Sequence, residues 1–242
     1  MLMPKEIDAD AYRRLVKSED LISVRIQVKQ TDLLVSGCCD LREQALPLVR
    51  HFRDQIEDYM MRRPLFVRSF VPIEPDDQAP VIVKAMIDAS SRARVGPMAS
   101  VAGAIAEYVG RELMKFSNEV IVENGGDIFL STSRRREMLL LAESSAFKGL
   151  RIALAPTPYP AGICTSSGIL GGSVSLGRAD AVMVIASSAT FADAAATAIG
   201  NVVKRTSDLE AAIETARTLD ADAVVILIQD KMAAWGRVEI LG

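Results

Sequence analysis

The hydrophobic pattern of this chain changes period in a fixed order, and that order limits the folds available to it. Apolar alternation at Ile22, Val24, Ile26 and Val28, followed by Leu33-Leu34-Val35, predicts two strands joined near Gln30-Thr31-Asp32. Helical spacing then takes over. Leu41, Ala45, Leu48, Val49, Phe52, Ile56, Tyr59 and Met60 predict an amphipathic helix over 40–62, with Pro47 as a kink or a late start. Leu65-Phe66-Val67 reads as a strand leading into an irregular crossover, and two more helices follow at about 81–92 and 98–115. From residue 120 the runs 120–122, 127–130, 138–141, 150–154 and 181–185 read as strands that share one sheet. Helices at about 190–204 and 208–219 and strands at 223–228 and 238–241 close the pattern. Runs of strands separated from runs of helices predict an α+β fold, with helices covering one face of a mostly antiparallel sheet. Half of the 242 residues are hydrophobic, enough for one core, so residues 1–242 read as a single domain.

Several functions are excluded at this level. The net charge of -3 comes from balanced acids and bases with no basic aromatic stripe, which argues against nucleic acid as a partner. Arg134-Arg135-Arg136 reads as a solvated hairpin turn, with an anion-binding patch as the alternative. Met1-Leu2-Met3-Pro4-Lys5-Glu6-Ile7-Asp8 places charges where a signal peptide needs an apolar stretch, and no later segment reaches a membrane-spanning length without an Asp, Lys or Arg, so a cytoplasmic location is expected. Cys38, Cys39 and Cys164 have no metal-ligand spacing and form no disulfide framework. Cys164 reads as a small buried hydrophobe. The one histidine, His51, lies in a charged helical stretch and reads as a surface residue. Hard oxygen ligands are then the means left for holding a metal.

Three segments carry small or oxygen-bearing residues where a core would take bulk. In Asn124-Gly125-Gly126-Asp127 the glycines suit a tight hairpin, and equally the close approach of a ligand to bare backbone. Thr165-Ser166-Ser167-Gly168, with Gly171-Gly172-Ser173 after it, offers hydroxyls and amides to phosphate or ribityl oxygens, or is a plain flexible loop. In the helix after Thr190, Asp193 and Thr197 project from one face, one turn apart. Helix capping and back-bonding would account for this pair; so would a shared Mg²⁺, whose oxygen ligands lie at about 2.0–2.1 Å.

Gly-Gly-Asp-Ile, then Thr-Ser-x-Gly, then Ala-Asp-Ala-x-Ala-Thr-Ala, in that order across residues 90–204, resembles the ApbE-like family of FAD:protein FMN transferases, and in particular its shorter branch. The resemblance implies a T-fold-like architecture, a cleft for FAD or FMN, and a Mg²⁺ that helps split a pyrophosphate. It implies Asp193, Thr197 and the Ala99 carbonyl as metal ligands, with Asn124, Gly125, Gly126 and Asp127 and Thr165, Ser166, Ser167 and Gly168 lining the flavin cleft. Ala99 enters because Gly96-Pro97-Met98-Ala99-Ser100 is similar to the family's Gly-Gly-Ile-Ala-Lys-Gly helix start. The chain departs from that pattern where Arg94 or Val95 stands for an acidic residue, Ser100 for a lysine, and residues 172–178 for a His-containing segment. These departures set it apart from standard FMN transfer. The short branch is also associated with sulfide-dependent homocysteine formation, which makes a sulfur-metabolism enzyme or accessory factor with a partner protein an alternative. A non-catalytic interaction protein is another. Sheet edges and alanine-rich helix faces predict a homodimer.

Overall fold

A computed structural model describes residues 15–142, 146–156, 159–168 and 176–241. The readings of the N-terminal octapeptide and of Gly171-Gly172-Ser173 lie outside these residues. Strand β1 (Ile22–Val28) and β2 (Thr31–Gly37) form the expected hairpin around Lys29, whose φ is +52°. Helix α1 (Arg42–Arg62) carries Pro47 internally, and the Asp40 carboxylate accepts the Arg42 N–H at 2.9 Å. Leu65-Phe66-Val67 is not a strand. It belongs to a short helix, α2 (Pro64–Arg68), because a proline in the first turn is pre-set for helical φ and lacks only an N–H that would go unpaired there. Helix α3 (Val81–Ala93), a 3₁₀ turn (Pro97–Ser100) and helix α4 (Val101–Leu113) follow.

The remaining elements are β3 (Val120–Asn124), β4 (Asp127–Ser131), β5 (Arg136–Leu139), β6 (Arg151–Leu154), β7 (Ala161–Ser166), β8 (Ala181–Ala186), α5 (Ala189–Val202), α6 (Leu209–Thr218), β9 (Ala223–Ile228), β10 (Lys231–Gly236) and β11 (Glu239–Leu241). Among the described residues the strands form two sheets instead of one. An eight-stranded antiparallel sheet runs β1-β2-β3-β4-β7-β8-β9-β10, and β5 and β6 leave it to join β11 in a three-stranded sheet. Alternation along each strand separates two cores. Val122, Phe129, Cys164, Val184 and Val224 face the helices. Ile121, Ile128, Ile163, Met183 and Val225 face the small sheet, against Met138, Leu140, Ile152 and Leu154. Both faces of the large sheet are therefore covered, which explains why its central strands read as unbroken apolar runs.

Arg134 and Arg135 are exposed in the bend between β4 and β5, as the solvated-turn reading expects, and Arg136 departs from it. Arg136 is buried and pairs with Glu119 at 3.1 Å and with Asp20, which Arg134 also reaches at 2.9 Å. The alanines of α5 are buried inside the protein, so they offer no face to a second chain. No helix among the described residues is long and apolar enough to cross a membrane.

Candidate functional site

Three strands set one row of polar side chains against the helices. Asn124 pairs with Asp127 across the β3–β4 hairpin, and the β4–β7 register, Ile128 with Ile163, carries Asp127 opposite Cys164. Gly125 and Gly126 between them have φ of +65° and +106°, the left-handed conformation this two-residue turn requires. The hairpin reading of these glycines therefore holds, and the space beside Gly125 is open as well.

Above this row, α4 and α5 cap each other. The Asp193 carboxylate on α5 accepts the Gly103 N–H in the first turn of α4 at 2.9 Å, and the Asn124 amide donates to the Ala102 carbonyl at 3.0 Å. In return Glu107 of α4, buried, takes three donors from the start of α5 on one oxygen. These are Ser188 Oγ at 2.6 Å and the Thr190 N–H and Oγ1 at 2.9 Å each. Arg111 holds the other oxygen at 2.7 Å. Each carboxylate thus meets the positive end of the opposite helix. Bare backbone permits the approach, since a Cβ on Gly103 would lie 2.3 Å from the Ala189 carbonyl oxygen and one on Gly162 2.3 Å from the Ala189 Cα. Sequence reasoning missed Glu107, although a lone acid in the small, apolar run Ala104-Ile105-Ala106-Glu107 was a signal for it.

From Ala189 to Gly200, every residue of α5 is buried except Asp193 and Thr197. That stripe continues to Gly200, where a Cβ would stand 3.7 Å from Ser166 Oγ. The Thr197 hydroxyl makes no hydrogen bond to any described residue. Thr215 and Thr218 of α6, by contrast, bond back to the carbonyls of Ala211 at 2.8 Å and Glu214 at 2.9 Å. Capping does account for part of Asp193; back-bonding does not account for Thr197. Ala99 sits half-buried on the 3₁₀ turn, which packs against α5.

Not every expected residue joins this polar row. Thr165 pairs with Met183, which faces the small sheet, so its side chain points away from α5 and only its N–H reaches Asp127. Its hydroxyl is buried without a hydrogen-bond partner among the described residues. Ser166 faces α5; Ser167 and Gly168 lead out of the strand, with Gly168 against the Gly177 carbonyl. Cys164 is buried, and its thiol donates to the Ala189 carbonyl at 3.3 Å. Burial, then the neighbouring Asp127 and Asp193, pushes this thiol well up, away from the reactive thiolate.

Two carboxyls at this row are shifted upward. Burial pushes the Asp193 carboxyl up to about 7 against the pull of the Gly103 and Ala102 amides. Burial and the charge of Asp193 push Asp127 well above the usual carboxylate range. Among the described residues no three His, Cys, Asp or Glu side chains converge as a metal cluster. The available donor set is carboxylate, hydroxyl and carbonyl, all hard oxygens that suit Mg²⁺.

Comparison with solved structures shows an ApbE-like fold. The flavin transferase ApbE from Vibrio cholerae matches at a TM-score of 0.59 and 12% identity, over 89% of this chain and 96% of that one. The ApbE protein of Thermotoga maritima matches at 0.59 and 11%, over 88% and 96%. Relatives in sequence include a UPF0280 protein of Methanothrix thermoacetophila, 40% identical over 191 residues, 77% of this chain and 79% of the relative. A UPF0280 protein of Methanocaldococcus jannaschii is 37% identical over 222 residues, 88% of this chain and 90% of the relative. The family model described as AbpE bacteria spans residues 13–232, and the chain belongs to that ApbE-like family.

Proposed function

We propose that the trough between α5 and the Asn124–Asp127–Cys164 row binds a flavin nucleotide, FAD or FMN, or a related phosphorylated small molecule, with Mg²⁺ held by Asp193, Thr197 and the Ala99 carbonyl. The observation that carries this reading is the α5 stripe: from Ala189 to Gly200 every residue is buried except Asp193, with its carboxylate, and Thr197, whose hydroxyl is unbonded among the described residues. The fold shared with proteins named as flavin transferases supports the ligand class. Two upward-shifted carboxyls support a cation, because it would replace the proton that otherwise relieves their repulsion.

Each residue then has a defined task. Asp193 accepts the Gly103 N–H, which fixes the direction of its carboxylate beside the first turn of α4. Asn124 holds the Ala102 carbonyl, so the first turn of α4 stays aligned with the 3₁₀ turn that carries Ala99. Gly125 leaves open space beside its backbone, where a flat ring can approach. Ser166 offers a hydroxyl from the sheet side. Mg²⁺, when bound, would neutralise a diphosphate and polarise its bridging oxygen. Ser100, where the family carries lysine, brings no charge to this end, which places binding ahead of standard FMN transfer. Direct sulfur chemistry at Cys164 has no support, since its thiol is buried and held protonated.

Titration with FAD, FMN and ADP, with and without Mg²⁺, tests this. Binding of at least one of them, tightened by Mg²⁺, is the expected result. Asp193→Asn should weaken the metal-dependent part about tenfold or more, the value of roughly 1.4 kcal/mol of lost ion contact. Absence of binding by all three in the wild-type protein would end the proposal.

A further inference from the structure

A glycine inside a helix weakens that helix relative to alanine, so a helical glycine calls for a physical reason. Close packing supplies one elsewhere in this fold. On Gly103, Gly110, Gly162 and Gly177 a Cβ would come within 2.3, 2.1, 2.3 and 1.9 Å of a neighbouring atom, and Gly125 has a left-handed φ of +65°. Gly200, near the end of α5, has neither reason. Among the described residues a Cβ there would meet Ser166 Oγ at 3.7 Å, Val182 Cγ2 at 3.8 Å and Ser166 Cβ at 4.0 Å, all of them ordinary contacts. Alanine would fit, yet the position is bare.

This notch lies in line with the proposed metal ligands. Asp193, Thr197 and Gly200 follow one another on one face of α5, about 10 Å from first to last at a rise of roughly 1.5 Å per residue. Beneath Gly200, Ser166 and Val182 pair across β7 and β8. The β4–β7 register carries Asp127 opposite Cys164, which puts the Gly125–Gly126 turn and Ser166 at the same end of the sheet. Thr197 and Ser166 are half-buried, and neither hydroxyl is bonded within the described residues. The three atoms that frame the notch are a methyl carbon, a hydroxyl oxygen and its carbon, with no charge to hold a phosphate, so the group that suits it is the edge of an uncharged ring. We infer that the notch between Gly200 and the Ser166–Val182 pair takes the edge, or a ring methyl, of the ligand's planar ring system, two helical turns from the phosphates. The inference rests on the nucleotide reading of the site given above and adds where the ring lies.

Gly200→Ala tests it with two measurements that a glycine needed by the fold itself would move differently. Without ligand, the variant should melt at the wild-type temperature or about 1–4 °C higher, because alanine strengthens the helix and meets no clash. With ligand, calorimetric titration of FAD, FMN and ADP should show affinity reduced about tenfold or more wherever the ring enters the notch, since the added carbon fills it. The reduction should be the same with and without Mg²⁺, as the notch stands two turns from the ion. A loss confined to FAD and FMN assigns the notch to the flavin ring, and a loss that ADP shares assigns it to adenine; either result supports the inference. A lower melting temperature shows that the fold itself requires glycine and overturns it. So does a variant that binds every ligand at wild-type strength, or one weakened only when Mg²⁺ is present, and both of these leave the binding site standing. Wild-type protein that binds none of the three overturns the site and the notch together, which sets the two failures apart.

Discussion

Replacing Glu107 by alanine is expected to lower the stability of the protein by about 3–5 kcal/mol, measured by chemical denaturation, even though the residue belongs to neither the proposed metal ligands nor the proposed flavin contacts. Three donors from Ser188 and Thr190 converge on one of its oxygens and Arg111 on the other, in a buried position. Burial disfavours the charged form, but these donors outweigh it and hold the carboxyl below the usual range. Alanine would leave the first N–H groups of α5, the Ser188 and Thr190 hydroxyls and the Arg111 guanidinium without their acceptor. Glu107→Gln keeps one carbonyl acceptor and should lose about half as much. Because α5 carries Asp193, both variants should also weaken its grip on Gly103, seen as faster amide exchange at Gly103 than elsewhere in α4.

The second large effect concerns acid. Glu119 is held at about 2 because Ser133, Thr132 and Arg136 bond to its charged form more strongly than burial opposes it. A carboxyl whose folded-state value lies below its unfolded one near 4.5 stabilises the protein above pH 4.5. That contribution is lost as the pH falls through about 2. A shift of this size corresponds to roughly 3 kcal/mol. Urea unfolding between pH 5 and pH 2 should therefore show a steep loss of stability in the wild type. In Glu119→Gln the loss should be shallower and the protein weaker at pH 7, because Arg136 would remain buried with Asp20 as its one carboxylate partner among the described residues. An equal slope in both proteins would place the acid-sensitive group elsewhere.

Local pattern was enough to find the elements that form by local rules. The β1–β2 hairpin, α1 and the Asn124–Asp127 turn follow from alternation, helical spacing and paired glycines. It was not enough for α2, where three apolar residues in a row suit a strand and a helix equally and Pro64 decided for helix. The small sheet escaped for a different reason. Met138 and Leu140 look the same in sequence whether they extend a large sheet or cover its far face, and only the long-range pairing of β6 with β11 decides. At the candidate site, the shared helix face of Asp193 and Thr197 could be read because the pair is four residues apart on one helix. Glu107 stood out only as a lone acid in an apolar run, and its role, like that of Gly103, depends on the contact between two helices nearly ninety residues apart in the chain. Thr165 stood in the right segment but on the wrong side of the strand, a parity set by its pairing with Met183.

Thr197→Val tests the central claim most directly. The Thr197 hydroxyl makes no hydrogen bond within the described protein, so removing it should leave the melting temperature unchanged. If this hydroxyl and Asp193 share an ion beside a phosphorylated ligand, calorimetric titration with FAD should show the Mg²⁺-dependent gain in affinity reduced about tenfold or more in the variant. Binding of Mg²⁺ and FAD at wild-type strength to Thr197→Val would contradict the account.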